Sequence, residues 1–82
     1  MPQIRLAWDN DSSAGYKMYT GYASGTYTIS RDVGKMVSGA IDVPLPGTCF
    51  SVVAGYDRLG VEGGRSQEIV SIADAGHFRL RR

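Results

Sequence analysis

The stretch Ile4-Arg5-Leu6-Ala7-Trp8 decides the fold. Apolar Ile4, Leu6 and Trp8 alternate with Arg5 and Ala7, the period of two that lays every second side chain on one face of a strand. A half-buried strand follows, with Trp8 as a core anchor. Working outward, Asp9-Asn10-Asp11-Ser12-Ser13 reads as a polar loop whose side chains hydrogen-bond their own backbone. Tyr16-Lys17-Met18-Tyr19-Thr20 has the aromatic and β-branched character of a second strand. Residues 21–25 form a turn, 26–30 a third strand, 32–35 another turn, and 36–43 a fourth strand interrupted by Gly39. Pro44-Leu45-Pro46-Gly47 is a loop, since two prolines cannot sit in a central strand. Residues 49–56 are the most apolar run and are expected to form the most buried strand. Residues 58–65 read as a long glycine-rich loop and 67–72 as the closing strand. Short strands divided by turn signals predict an all-β sandwich or barrel.

Composition agrees. The chain has 82 residues, which suits one domain, and 43% of them are apolar, which is globular rather than disordered. Eleven glycines spread along the chain oppose helices. Net charge is +1 with acids and bases interspersed, so no basic field points to specific nucleic acid binding. The one local exception is Arg79-Leu80-Arg81-Arg82. No run reaches membrane-spanning length, so no membrane partner is expected. The single cysteine, Cys49, excludes an intrachain disulfide and a cysteine-based metal site within one chain. The first residues lack the apolar core of a signal peptide. The expectation is a protein made in a host cytoplasm that leaves it by lysis or with an assembly. Residues 73–82 fit no strand well, and Ala75-Gly76 breaks a helix. The expected domains are a sandwich over 1–72 and a basic tail over 73–82.

The order of these pieces resembles a fibronectin type III domain of the variety common in bacterial secreted and phage proteins. Leu6-Ala7-Trp8-Asp9 is similar to that family's Leu-x-Trp strand, and Gly15-Tyr16-Lys17-Met18-Tyr19 to its Gly-Tyr-x-Val-Tyr strand. Ser24-Gly25-Thr26-Tyr27, then Asp32-Val33-Gly34, looks like the next strand and turn. Pro46-Gly47-Thr48 precedes the long central strand. Val53-Ala54-Gly55-Tyr56-Asp57, Gly60, Glu62, Ser66 and Glu68 resemble the family's ending. The resemblance implies an immunoglobulin-like antiparallel β-sandwich with Trp8, Tyr16 and Val53 as core anchors. It departs from the family in three places. Cys49 stands where a corner tyrosine is usual, Gly55 replaces an alanine, and the family's first strand is absent. Ile4 and Leu6 would then lie on an open edge, a template for another strand. That edge is expected to be filled by residues 73–82 or by a neighbour.

Few residues invite chemistry. Asp9, Asp11 and Asp57 lack the glycine and distal glutamate of a calcium loop, and read as solvated loop carboxylates. Asn10-Asp11-Ser12 is a formal glycosylation sequon, coincidental without secretion. His77 falls in the expected tail, where no packed shell would fix a triad. Cys49 reads as a buried, inert thiol. Neither glycine-rich loop has phosphate-binding spacing. No cofactor and no catalysis are expected. The candidate contacts are Ile4 and Leu6 on the edge, Tyr22 and Arg65 in outward loops, and Phe78, Arg79, Arg81 and Arg82 in the tail. The expected function is a non-catalytic structural or binding module. It would be a phage capsid or tail decoration docking on a protein partner in a virion, with self-association open to it. The alternative is an extracellular carbohydrate- or cell-surface-binding spacer domain. A small enzyme or redox protein using Cys49 or His77 is a weaker third.

Overall fold

The computed structural model describes residues 2–80. Among these the chain forms strands and no helix: β1 (Gln3–Trp8), β2 (Gly15–Gly21), β3 (Ile29–Gly34), β4 (Ser38–Asp42), β5 (Thr48–Tyr56), β6 (Glu62–Arg65), β7 (Ile69–Ile72) and β8 (His77–Leu80). They make two layers, β4-β1-β8 and β3-β2-β5-β6, with β7 also paired to β5. The chain is a β-sandwich.

The alternation in β1 does what its period dictates. Ile4, Leu6 and Trp8 point inward and meet Tyr16 and Met18 of β2, Ile41 of β4, Cys49 and Val53 of β5, and Leu80 of β8. The Trp8 and Tyr16 rings lie 5.8 Å apart at 59°, a tilted contact that adds about 0.5–1.5 kcal/mol beyond burial. The Tyr16 hydroxyl reaches the rim. It accepts from the Asp11 N–H at 2.8 Å and shares its proton between Asn10 Oδ1 and Asp11 Oδ1. The buried Thr20 and Ser51 hydroxyls satisfy one another and the Phe50 carbonyl, so polar groups facing the core from β2 and β5 are not stranded.

β5 is the spine. It pairs with β2 from Gly15↔Tyr56 to Gly21↔Phe50. Its other edge is shared by β7 over its first half and β6 over its second. Ser66 bridges the gap between those two short strands. Its N–H donates to the Val53 carbonyl at 2.8 Å, and its Oγ accepts from the Val53 N–H at 2.9 Å. A side-chain oxygen thus replaces the missing ladder acceptor.

Three expectations need correction, and a fourth is met. The third strand begins at Ile29 and runs through Asp32, because residues 21–26 fold back on themselves, with Thr26 N–H bonded to the Ala23 carbonyl. The stretch expected as a long loop over 58–65 contains β6. Its turn is closed by Asp57, whose carboxylate accepts from the Leu59 and Val61 N–H groups at 2.9 and 3.0 Å, and by Gly60 at φ 82°. The β1 edge is filled as expected, with β8 along it in parallel register from Arg5↔His77 to Trp8↔Leu80. Residues 73–80 are therefore part of the sandwich rather than a tail, with Leu80 buried at 3% exposure. Of the two fillings foreseen for that edge, the chain uses its own C-terminal stretch. The link is pinned at its entry, where Asp74 N–H donates to the Gln3 carbonyl and the Asp74 carboxylate accepts from the Gln3 N–H.

Candidate functional site

The outward face of the larger sheet carries the densest set of functional side chains. On β2, Met18 and Thr20 point into the core, so Lys17 and Tyr19 point out. Opposite Tyr19 lies Val52, and opposite Lys17 lies Ala54. Both are buried although they face away from the core. Their cover is a layer of long side chains from β2, β6 and the turn before β3.

Arg65 organises that layer. Its guanidinium carbon sits 4.7 Å from the Tyr19 ring centroid and 5.6 Å from that of Tyr27, while Lys17 Nζ is 5.4 Å from Tyr19. Such contacts are worth about 0.5–1 kcal/mol each at exposed sites. The tyrosine hydroxyls are held by acids. Tyr19 donates to Glu62, and Tyr27 donates to Glu68. Glu68 also accepts from Ser24 Oγ at 2.6 Å and from the Gly25 N–H at 2.9 Å. One carboxylate therefore fixes the turn over residues 24–27 on the sheet.

The electrostatics follow from those bonds. The hydroxyl of Ser24, with Tyr27 and the Gly25 N–H, holds the Glu68 carboxyl below its ordinary range. Desolvation first, then the bond to Glu62, raises Tyr19. Desolvation and the bond to Glu68 raise Tyr27. At the far end Tyr56 donates to Asp32 at 2.8 Å. That bond raises Tyr56, while the Gly34 N–H followed by Tyr56 lowers Asp32. The face is thus a row of oriented tyrosines interleaved with both signs of charge. It can bind and orient a partner surface. Tyr and Arg are the residues that dominate binding energy at protein interfaces.

The sequence-predicted residues are dispersed over the molecule. Arg65 lies at the centre of this face, as the last residue of β6. Tyr22 is exposed at 38%, but its hydroxyl is committed, accepting from the Leu45 N–H at 2.8 Å and donating to the Leu45 carbonyl at 2.7 Å. Ile4 and Leu6 are core residues, 1% and 0% exposed, not edge contacts. Phe78 is half-buried against the core, and Arg79 of β8 pairs with Asp9 just past the end of β1 in the same sheet. Arg81 and Arg82 lie outside the described residues. Cys49 is buried, and burial raises its thiol. His77 opens β8 on the exterior. Among the described residues no group of three His, Cys, Asp or Glu side chains could hold a metal ion, and no helix is long and apolar enough to cross a membrane.

Tyr19, Tyr27, Glu62 and Glu68 escaped the sequence reading as a group. The alternation in β2 already sent Tyr19 outward, yet the partners that orient it come from positions 43 and 46 residues away. No family model, curated protein or solved structure matches the chain.

Proposed function

We propose that the chain is a non-catalytic binding module of the fibronectin type III kind, docking on a protein partner in a larger assembly such as a virion capsid or tail. The observation that carries this reading is the outer face of the larger sheet, where Tyr19 and Tyr27 are held by Glu62 and Glu68 around Arg65. Side chains already ordered lose less entropy when they meet a partner. The family reading draws support from the two layers, the Trp8–Tyr16 contact, and the position of β8 beside β1, where the family's first strand would lie. A polysaccharide-binding spacer is less well served. Sugars stack on open aromatic faces, and the Tyr19 and Tyr27 rings carry Arg65 against them.

The test is density-gradient sedimentation of a lysate from the native source, comparing wild type with Arg65→Ala/Tyr19→Ala. Wild-type co-migration with a large particle, reduced at least tenfold in the double variant, is the expected result. A wild-type protein that runs as a small free species overturns the assembly reading. Co-migration untouched by the double variant moves the docking face elsewhere.

A further inference from the structure

Where β3 meets the smaller sheet, at the side of the sandwich, lies a cleft of about 580 Å³. Its geometry comes from the register of the smaller sheet. Since Ile4 and Leu6 point inward, Arg5 points outward from the central strand. Its cross-strand neighbours are Ala40 on β4 and His77 on β8. The three form one row across the sheet, with side chains within reach of one another. Ala40 is small, so the row has bulk on one side of Arg5 and open space on the other. Arg31 enters that space from β3, where its Nη1 donates to the Ala40 carbonyl. Met36, exposed at 61%, forms an apolar rim.

Two features point to a ligand. Among the described residues neither the Arg5 nor the His77 side chain has a hydrogen bond or ion pair, and Arg31 spends one of its five N–H donors on Ala40. The acids nearby are engaged elsewhere. Asp32 accepts from the Gly34 N–H and Tyr56, and Asp42 accepts from Gln3 Nε2. The lining holds two guanidinium groups and one carboxylate, so one positive charge is uncompensated before His77 is counted. That balance suits a monoanion better than a dianion, and the guanidinium fork matches the two oxygens of a carboxylate. The apolar rim suits the short methylene stem that carries it.

We infer that the Arg5–Arg31–His77 cleft binds the side-chain carboxylate of an acidic residue presented by a partner protein. Arg5, Ala40 and His77 belong to the smaller sheet, while Asp32, which also lines the cleft, is the far end of the tyrosine face. The cleft and the tyrosine face together would let one module bridge two neighbours.

The experiment is a titration of ¹⁵N-labelled protein with the peptide acetyl-Ala-Glu-Ala-amide, which carries a single carboxylate, followed by amide chemical shifts. The expected result is saturable shifts at Arg5, Arg31, Ala40 and His77. Binding should weaken at least fivefold in Arg5→Gln and in His77→Gln, and not in Arg58→Gln, an exposed cation outside the cleft. Melting curves check that Arg5→Gln and His77→Gln remain folded. A titration that does not saturate, or an equal loss in Arg58→Gln, overturns the site. Inorganic phosphate binding more tightly than the peptide overturns the assignment to a carboxylate.

Discussion

Trp8 shows how much one residue carries in a chain of this size. It is 1% exposed and touches both layers, yet its indole N–H has no partner among the described residues, a loss of about 1–3 kcal/mol that packing must outweigh. Truncating a buried Trp costs about 3–5 kcal/mol, and a small domain holds about 5–15 kcal/mol in all. Trp8→Ala should therefore be largely unfolded at room temperature, as near-UV circular dichroism would register. Gly21 and Gly64 make a sharper contrast. A Cβ on Gly21 would stand 2.0 Å from the Thr26 carbonyl oxygen, which is backbone and cannot turn aside, whereas one on Gly64 meets nothing within 4 Å. Gly21→Ala should lower the melting temperature by many degrees, and Gly64→Ala should leave it within a degree or two of wild type. Cys49 supplies a built-in reporter. Burial keeps its thiol both inaccessible and protonated, so a thiol reagent should label it only at the rate of global opening. Rapid labelling under native conditions would contradict the packing described.

Elements were legible in the sequence to the degree that their signals are local. The β1 and β5 patterns announce themselves within a few residues, and so do the prolines of the 44–47 loop. β8 does not, because His77-Phe78-Arg79-Leu80 becomes a strand only by lying against β1, some seventy residues earlier. β3 was displaced for a related reason, since the clamp by Glu68 that holds residues 24–27 off the ladder is distant in sequence. The candidate face suffered most, for every pair in it is long-range. The dependence of β8 on β1 can be measured. Hydrogen bonds alternate along a strand, and the Gln3 backbone is turned to Asp74 while Trp8 N–H is turned to Val37 in the β4 direction. Odd-numbered amides of β1 therefore face β8 and even-numbered ones face β4. Removing the chain after residue 76 should leave the Arg5 and Ala7 amides exchanging fast while Ile4, Leu6 and Trp8 stay protected. Uniform protection across β1 would show that β8 contributes nothing to the edge. The Arg79–Asp9 pair is exposed on both sides, so Arg79→Ala alone should change stability by less than about 1 kcal/mol.

The whole molecule responds to pH through its outer face. Asp32 and Glu68 have carboxyls depressed by the hydrogen bonds they accept. Stability from such groups is present above the ordinary carboxylate range and lost as pH falls through the depressed folded values. Tyr19, Tyr27 and Tyr56 are raised, so their contribution is present below the ordinary tyrosine range and lost as pH climbs through the folded values. Thermal stability should therefore plateau between the two ranges and decline at both ends. Glu68→Gln should reduce the acid limb to the part set by Asp32, and should weaken the Tyr27 share of the alkaline limb while leaving the shares of Tyr19 and Tyr56. A further consequence lies in the parallel pairing of β1 with β8. The first described strand and the last run side by side in the same direction, so residues 2 and 80 leave from opposite ends of one sheet. Tension applied through those ends would pull the two strands past each other lengthwise. All the rungs between them would share the load at once, and none could be peeled open in turn. The sandwich is therefore stiff along the line from residue 2 to residue 80 and far weaker when the same sheet is pried open from the side.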